Sequence, residues 1–230
     1  MQKTQSEIIL KIRRMLANPS EEELSDNQIV DVIEDIIKVY SRYRPIIETG
    51  MILTKKDVAL YDLKDQSEIS PDIIMVFYII REEGSGEVDD MLFNFKRLNG
   101  LSLWDNPSLL TQFYQKIDSL QNRFKKDWLF EPNKKMLTLI PPPSRDNQKI
   151  AVIYGRAHDL STIPDEDEDL FIKGAFGMAG GILFAIGRDI TQVSSHGQTI
   201  HIGNDLSTYC LKQYDLFLKE LRANPLVMVG

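Results

Sequence analysis

The chain has 230 residues, with 27 Lys or Arg against 34 Asp or Glu, and so a formal net charge of −7. A chain of this length can bury about 70% of the surface that its unfolded form exposes, which supports a core without disulfides or metal. The acidic balance argues against a nonspecific nucleic-acid binder, whose binding domain is usually basic. Cys210 is the only cysteine, which excludes an intramolecular disulfide and favours folding in a reducing cytosol. We expect no secretory signal, because the first residues hold no long apolar segment followed by a cleavage site.

The first 45 residues have the apolar period of a helical hairpin. Residues 8–16 place their apolar side chains on one helical face, and Pro19 disfavours helix at the residue before it. Ser25 and Asp26 can cap a second helix, whose apolar residues recur at intervals of three and four up to Tyr43. The Arg44–Pro45 pair ends this helix. We therefore expect two amphipathic helices that bury their apolar faces in a helical core.

The middle of the chain changes to the period of β-strands. We expect strands at 51–53, 58–61 and 73–80, the last a β-branched and aromatic run that suits a strand covered on both faces. The acidic, glycine-containing stretch 82–90 predicts an exposed loop, and 105–124 predicts a helix. Two further strands, joined by a turn at Pro132–Asn133, are expected within 127–140, and another at 149–154.

A glycine-rich helix is expected after this region. The chain is uncharged from Gly174 to Gly187, which is shorter than the roughly 20 apolar residues that a membrane span needs. Four small residues fall three or four positions apart in it and predict close packing of a neighbouring helix: Gly174, Gly177, Gly181 and Ala185. Each helical glycine costs about 0.5–1 kcal/mol relative to alanine, so a contact must offset them.

These patterns together predict an α+β protein. Its helical bundle combines an N-terminal hairpin, in residues 1–45, with two C-terminal helices in residues 160–224. Residues 46–159 form an inserted β-rich lobe, sandwich-like or barrel-like, with one helix. Residues 225–230 form an apolar tail.

The sequence gives only weak evidence for catalytic or metal-binding groups. The acidic run 165–169 lacks the spaced ligands of a calcium loop and suits a helix start, where carboxylates interact favourably with the helix dipole. His196 and His201 lack the spacing of a zinc site, and Ser195 beside His196 does not make a nucleophilic relay by sequence proximity alone. No phosphate-binding glycine loop is present. We predict no catalytic, cofactor-binding or metal-binding residue and no enzyme activity.

One basic patch could indicate DNA contact. Its members are Lys116, Arg123, Lys125, Lys126, Lys134 and Lys135. Trp128 and Phe130 lie among them and could stack on bases. A solvated helix end beside two core aromatics is the favoured interpretation, because the acidic total weakens any positive field.

Several segments resemble the head-to-tail connector (adaptor or neck) proteins of tailed bacteriophages. The similar segments are Trp128-Leu129-Phe130, residues 136–143, residues 150–154 and Ile163-Pro164 before an acidic helix start. The opening helix, linker and second helix, from Leu16 to Pro45, also resemble that family, as do the turn and last helix from Ser195 to Leu221. The stretch 62–126 departs from the family pattern.

The resemblance implies a virion structural protein, made in the bacterial host cytoplasm and located at the neck of the virion. Such proteins form a homo-oligomeric ring, expected here to be dodecameric, on the portal protein. The ring extends the channel through which genomic DNA passes without sequence-specific binding, and it offers a platform for tail or neck proteins. No cofactor and no membrane contact are expected. A baseplate or other tail structural protein, and an enzyme without a recognisable motif, remain as alternatives.

The C-terminal tail is the predicted partner contact. Leu226, Val227, Met228 and Val229 are apolar and too few to pack as an element of their own. Added as a strand or laid in a groove of the portal protein, they would use backbone hydrogen bonds and alternate side chains. The alternative is that this tail folds back on its own core.

Overall fold

The protein divides into two compact units. A computed structural model describes residues 4–81, 128–185, 193–195, 198–200 and 203–223. One unit comprises Met1–Pro45 and Ala157–Gly230, here the helical unit, and the other comprises Ile46–Arg156, here the β lobe. Helices at both ends of the chain and antiparallel sheets between them confirm the α+β prediction. Residues 157–159, which the sequence analysis assigned to the lobe, fall in the helical unit, where the His158 backbone N–H donates to Ser41 Oγ (2.9 Å).

The helical unit begins with the expected hairpin. Helix α1 spans Gln5–Met15 and helix α2 spans Asp26–Tyr43. Ser25 caps α2 in a reciprocal arrangement with Gln28, and Thr4 caps α1 in the same way with Glu7, so side chains satisfy backbone N–H groups of each first turn. Helix α2 ends before Pro45, as predicted.

The β lobe holds six described strands in two three-stranded antiparallel sheets. They are β1 (Ile46–Leu53), β2 (Leu60–Asp62), β3 (Ile73–Arg81), β4 (Trp128–Glu131), β5 (Met136–Leu139) and β6 (Lys149–Arg156). The first sheet has the order β1-β6-β3 and the second has the order β2-β5-β4. Side chains from both sheets and from the connection between β2 and β3 form one core: Ile52, Tyr61, Leu63, Ile69, Ile73, Val76, Leu137, Leu139, Ile150, Val152 and Tyr154.

The expectation that β3 is covered on both faces is met in part. Ile73 and Val76 are buried, and the other seven residues of the strand are half-buried. Strand β6 pairs with β1 on one side and β3 on the other, and six consecutive residues of it are buried. The central position therefore belongs to the shorter apolar run of β6, residues 150–154, while the longer apolar run of β3 lies at an edge of the described sheet.

Two later helices complete the helical unit. Helix α3 spans Glu168–Ala185 after a 3-10 turn at Asp165–Asp167, and helix α4 spans Gly203–Ala223 after a short hairpin of β7 (Val193–Ser195) and β8 (Gln198–Ile200). Helix α3 packs against α1, α2 and α4 and has buried residues on all sides. Among the described residues, no helix combines the length and apolar character required to cross a bilayer.

Candidate functional site

The second sheet of the β lobe has one face in the core and one face open to solvent. Tyr61, Leu137 and Phe130 lie side by side across β2, β5 and β4 and pack in the lobe core. The neighbouring row, Leu60, Thr138 and Leu129, points the opposite way, because successive side chains of a strand alternate between faces. Two leucines therefore flank a threonine on the outer face.

This outer face is apolar and exposed. The Leu139 N–H donates to Ala59 O (2.8 Å), so the antiparallel pairing extends one residue beyond β2, and Val58 and Ile140 are the next residues of the two segments. The exposed fractions are 38% at Val58, 52% at Leu60, 61% at Leu129 and 49% at Ile140. We call these four residues the apolar face. Single exposed leucines are ordinary, whereas groups of exposed apolar side chains are typical of interaction surfaces.

Polar side chains border the apolar face. Asp62 and Glu131 lie opposite Met136 in the next outward row along the strands. Glu131 is paired with Lys134, with 2.7 Å between Oε2 and Nζ, and both side chains are exposed. An apolar centre with a charged border is the usual composition of a protein–protein contact. Nothing in the sequence analysis identified this surface, since each strand is too short for its exposed apolar residues to stand out before the register is known.

Close packing of α3 on α4 occurs at three glycines. A Cβ atom at Gly177 would lie 2.6 Å from Tyr214 N and 2.7 Å from Cys210 O, and one at Gly174 would lie 2.8 Å from the Phe217 ring. Gly180 similarly faces Cys210. Here a missing side chain is what allows the two backbones to approach.

Two residues of the predicted small-residue stripe, Gly181 and Ala185, are not closely packed. Nothing lies within 4 Å of a Cβ atom built at Gly181, and Ala185 is exposed. Gly180, and not Gly181, faces α4. Residues three and four positions after Gly177 both lie near the same helix face, so either could have made this contact. Sequence spacing alone does not choose between them.

The acidic run before α3 forms ion pairs within the helical unit. Both Asp167 carboxylate oxygens lie 2.6 Å from Arg44 Nη1, and Tyr40 Oη also donates to Asp167. Lys11 Nζ lies 3.3 Å from Glu168 Oε1 and 3.4 Å from Asp169 Oδ1. Burial and the hydrogen bond to Asp167 raise the pKa of Tyr40 well above its usual value. These carboxylates sit at a helix start, as expected, and they also anchor α3 to α1 and α2.

The His158 side chain contacts neighbouring side chains and backbone of the helical unit. Its ring lies edge-on to Tyr40, with 5.2 Å between centroids, and its Nδ1 is 3.1 Å from Thr162 O. Across the described ranges, no group of three or more His, Cys, Asp or Glu side chains is placed to hold a metal ion.

The described part of the basic patch has partners inside the β lobe. Lys134 pairs with Glu131, and Lys135 Nζ donates to Ile73 O. Burial, followed by the charge of Lys64, lowers the pKa of Lys135. Trp128 and Phe130 are half-buried and pack against the lobe core.

Other predicted features lie outside the described residues. They are Leu226, Val227, Met228 and Val229, the helix at 105–124, the loop at 82–90, His196, His201, and the basic residues Lys116, Arg123, Lys125 and Lys126. No protein-family model and no curated protein matches the chain.

Proposed function

We propose that this chain is a subunit of the head-to-tail connector ring of a tailed bacteriophage. It would dock on the portal, extend the DNA channel and offer a platform for tail components. The observation that carries the proposal is the apolar face, because Val58, Leu60, Leu129 and Ile140 expose surface that a partner would bury. The resemblance of the segments around the β lobe and the terminal helices to connector proteins supplies the identity of the assembly.

The charge of the chain supports a channel role without DNA recognition. Affinity for DNA depends on Lys and Arg side chains that neutralise phosphates. The chain has a net charge of −7, and Lys134 and Lys135 are engaged by other groups of the lobe. A ring of such subunits would let DNA pass without holding it. The role proposed is structural and not enzymatic, with the virion neck as its location.

The C-terminal residues are the proposed portal contact. Leu226, Val227, Met228 and Val229 follow α4 by a few residues, and a short apolar segment can add to a sheet edge or fill a groove of a partner. Deleting them should therefore weaken binding to the portal, and it removes none of the described core residues, of which Leu221 is the last along the chain.

The test is mass photometry of the full chain mixed with the portal of the virus that encodes it. We expect one added ring of mass on the portal, loss of that mass for a chain ending at Pro225, and no loss for the exposed-site control Lys212→Ser. A ring that forms equally well without residues 226–230 would refute the tail contact. Association with isolated tails and not with the portal would replace the connector with a baseplate or other tail structural protein, to which the apolar face is equally suited.

A further inference from the structure

The apolar face is too small for a stable contact between two folded surfaces. Its four side chains are between 38% and 61% exposed. Complete burial of one aliphatic side chain removes about 60–120 Å² of apolar surface from water, so the exposed parts of these four offer on the order of 200 Å² together. A stable interface buries about 800 Å² on each partner. A contact confined to the apolar face therefore suits a short apolar segment.

The outer face of the second sheet has the dimensions of a four-residue extended segment. Leu60 and Leu129 lie on either side of Thr138, so two strand spacings separate them. At about 4.8 Å for each spacing, the two leucines are about 10 Å apart. Four residues of extended chain span about 13 Å, at about 3.3 Å for each residue. A segment of that length reaches from one leucine to the other.

The chain itself contains an apolar segment of that length. Residues 226–229 are Leu-Val-Met-Val, and they follow α4 after Asn224 and Pro225. They carry no charge, and the last charged side chain before them is Arg222. The segment therefore brings no carboxylate side chain to a border that already holds Asp62 and Glu131, where like charges would repel.

We propose that, before a portal is bound, residues 226–229 of one copy lie across the apolar face of a second copy. This inference goes beyond the proposed function, because it concerns the free chain and needs no portal. The contact is small and therefore weak, so it forms at high concentrations of the chain. The portal competes with it, because one set of residues 226–229 cannot occupy the portal and a second copy at once. Docking on the portal thus uncovers the apolar face for a neighbouring subunit of the ring.

Sedimentation velocity of the chain without portal, over concentrations from about 5 to 500 µM, measures this pairing. We expect the full chain to associate as its concentration rises. A chain ending at Pro225, and the full chain with Leu60→Asp and Leu129→Asp, should each need about tenfold or more higher concentration. The matched pair Leu10→Asp with Leu211→Asp, equally exposed but in the helical unit, should change that concentration by less than about twofold. Circular dichroism and the melting temperature of each variant check that it is folded.

A mixture of the two deficient chains separates this contact from the other possible ones. The chain ending at Pro225 keeps its apolar face, and the Leu60→Asp, Leu129→Asp chain keeps residues 226–229. Each supplies what the other lacks, so we expect the mixture to form pairs of one copy of each at concentrations where neither associates alone. A contact between two apolar faces, or between two C-terminal segments, cannot give this result.

Three results would overturn the proposal. If the mixture does not pair, residues 226–229 of one copy do not occupy the apolar face of another. If the chain ending at Pro225 associates as readily as the full chain, the apolar face has a different occupant. If the full chain stays monomeric throughout, no second copy is bound. Ring formation on the portal is measured separately by mass photometry, so normal pairing without a ring refutes the connector role alone, and a normal ring without pairing refutes this inference alone.

Discussion

Asp167 compensates the charge of Arg44 at a mostly buried position. The two side chains are 16% and 13% exposed, and Arg44 Nε is buried without a hydrogen-bond partner among the described residues. Asp167→Asn keeps the shape of the side chain but removes the negative charge. We expect a loss of about 2 to 4 kcal/mol in the free energy of unfolding, because an uncompensated buried cation remains. Urea denaturation at pH 7 measures it.

Glu166 provides the control for Asp167. It is exposed, carries the same charge and lies next in sequence, so Glu166→Gln should change the free energy of unfolding by less than about 0.5 kcal/mol. Equal effects of the two substitutions would mean that the acidic run acts only through the helix dipole, with no special role for the contact to Arg44.

Ionisation of the buried Cys210 thiol should lower the stability of the fold at alkaline pH. Burial raises the pKa of Cys210 from 9.0 to about 11. As pH rises above 9 the unfolded thiol ionises first, so this contribution to stability is complete below pH 9 and is lost between pH 9 and 11. We expect the free energy of unfolding to fall over that window by about 2 kcal/mol more in the wild type than in Cys210→Ala. Parallel pH curves for the two proteins would contradict the assignment.

Between elements, the packing of α3 on α4 depends on the close approach of their backbones at Gly177. At Gly177 a methyl group would meet backbone atoms of α4, which cannot turn aside as the end of a side chain can. Gly177→Ala should therefore lower the free energy of unfolding by about 1 to 3 kcal/mol, despite the better helix propensity of alanine. Thermal unfolding of the full chain checks the result.

Gly181→Ala is the matched substitution in the same helix. The space around Gly181 is open, so the alanine gains helix propensity without a clash and should stabilise the protein by about 0.5–1 kcal/mol. Opposite signs at Gly177 and Gly181 are the expected result. Loss of stability at both positions would mean that α4 lies differently on α3.

Local sequence signals predicted most helices and strands, but they did not predict which distant segments pair. Ser25 as a cap and Pro45 as the end of α2 are decided within a few residues, so the sequence predicts them directly. The pairing of Ile52 with Ile150 joins segments almost a hundred positions apart, and no local period encodes it. The apolar face was missed for the same reason: Leu60 and Leu129 become neighbours only through their common partner Thr138.

At the scale of the whole molecule, the apolar face should control assembly. Leu60 and Leu129 are each more than half exposed, so aspartate at both positions is tolerated by the isolated chain. A contact would bury only the exposed half of each leucine, which contributes about 0.8–1.5 kcal/mol that the charged side chain removes. We expect Leu60→Asp combined with Leu129→Asp to raise the concentration needed for ring formation on the portal about tenfold or more, with an unchanged melting temperature of the isolated chain.

Leu10 and Leu211 make the matched pair, because they are 52% and 59% exposed in the helical unit. If the effect depends on the apolar face, Leu10→Asp with Leu211→Asp leaves ring formation on the portal unchanged. If it comes only from the added negative charge, this pair impairs ring formation as much as the Leu60 and Leu129 pair does. Sedimentation velocity of each variant, alone and with the portal, separates these cases. Normal assembly of the Leu60 and Leu129 variant would remove the apolar face from the contact and leave the connector proposal dependent on the C-terminal residues.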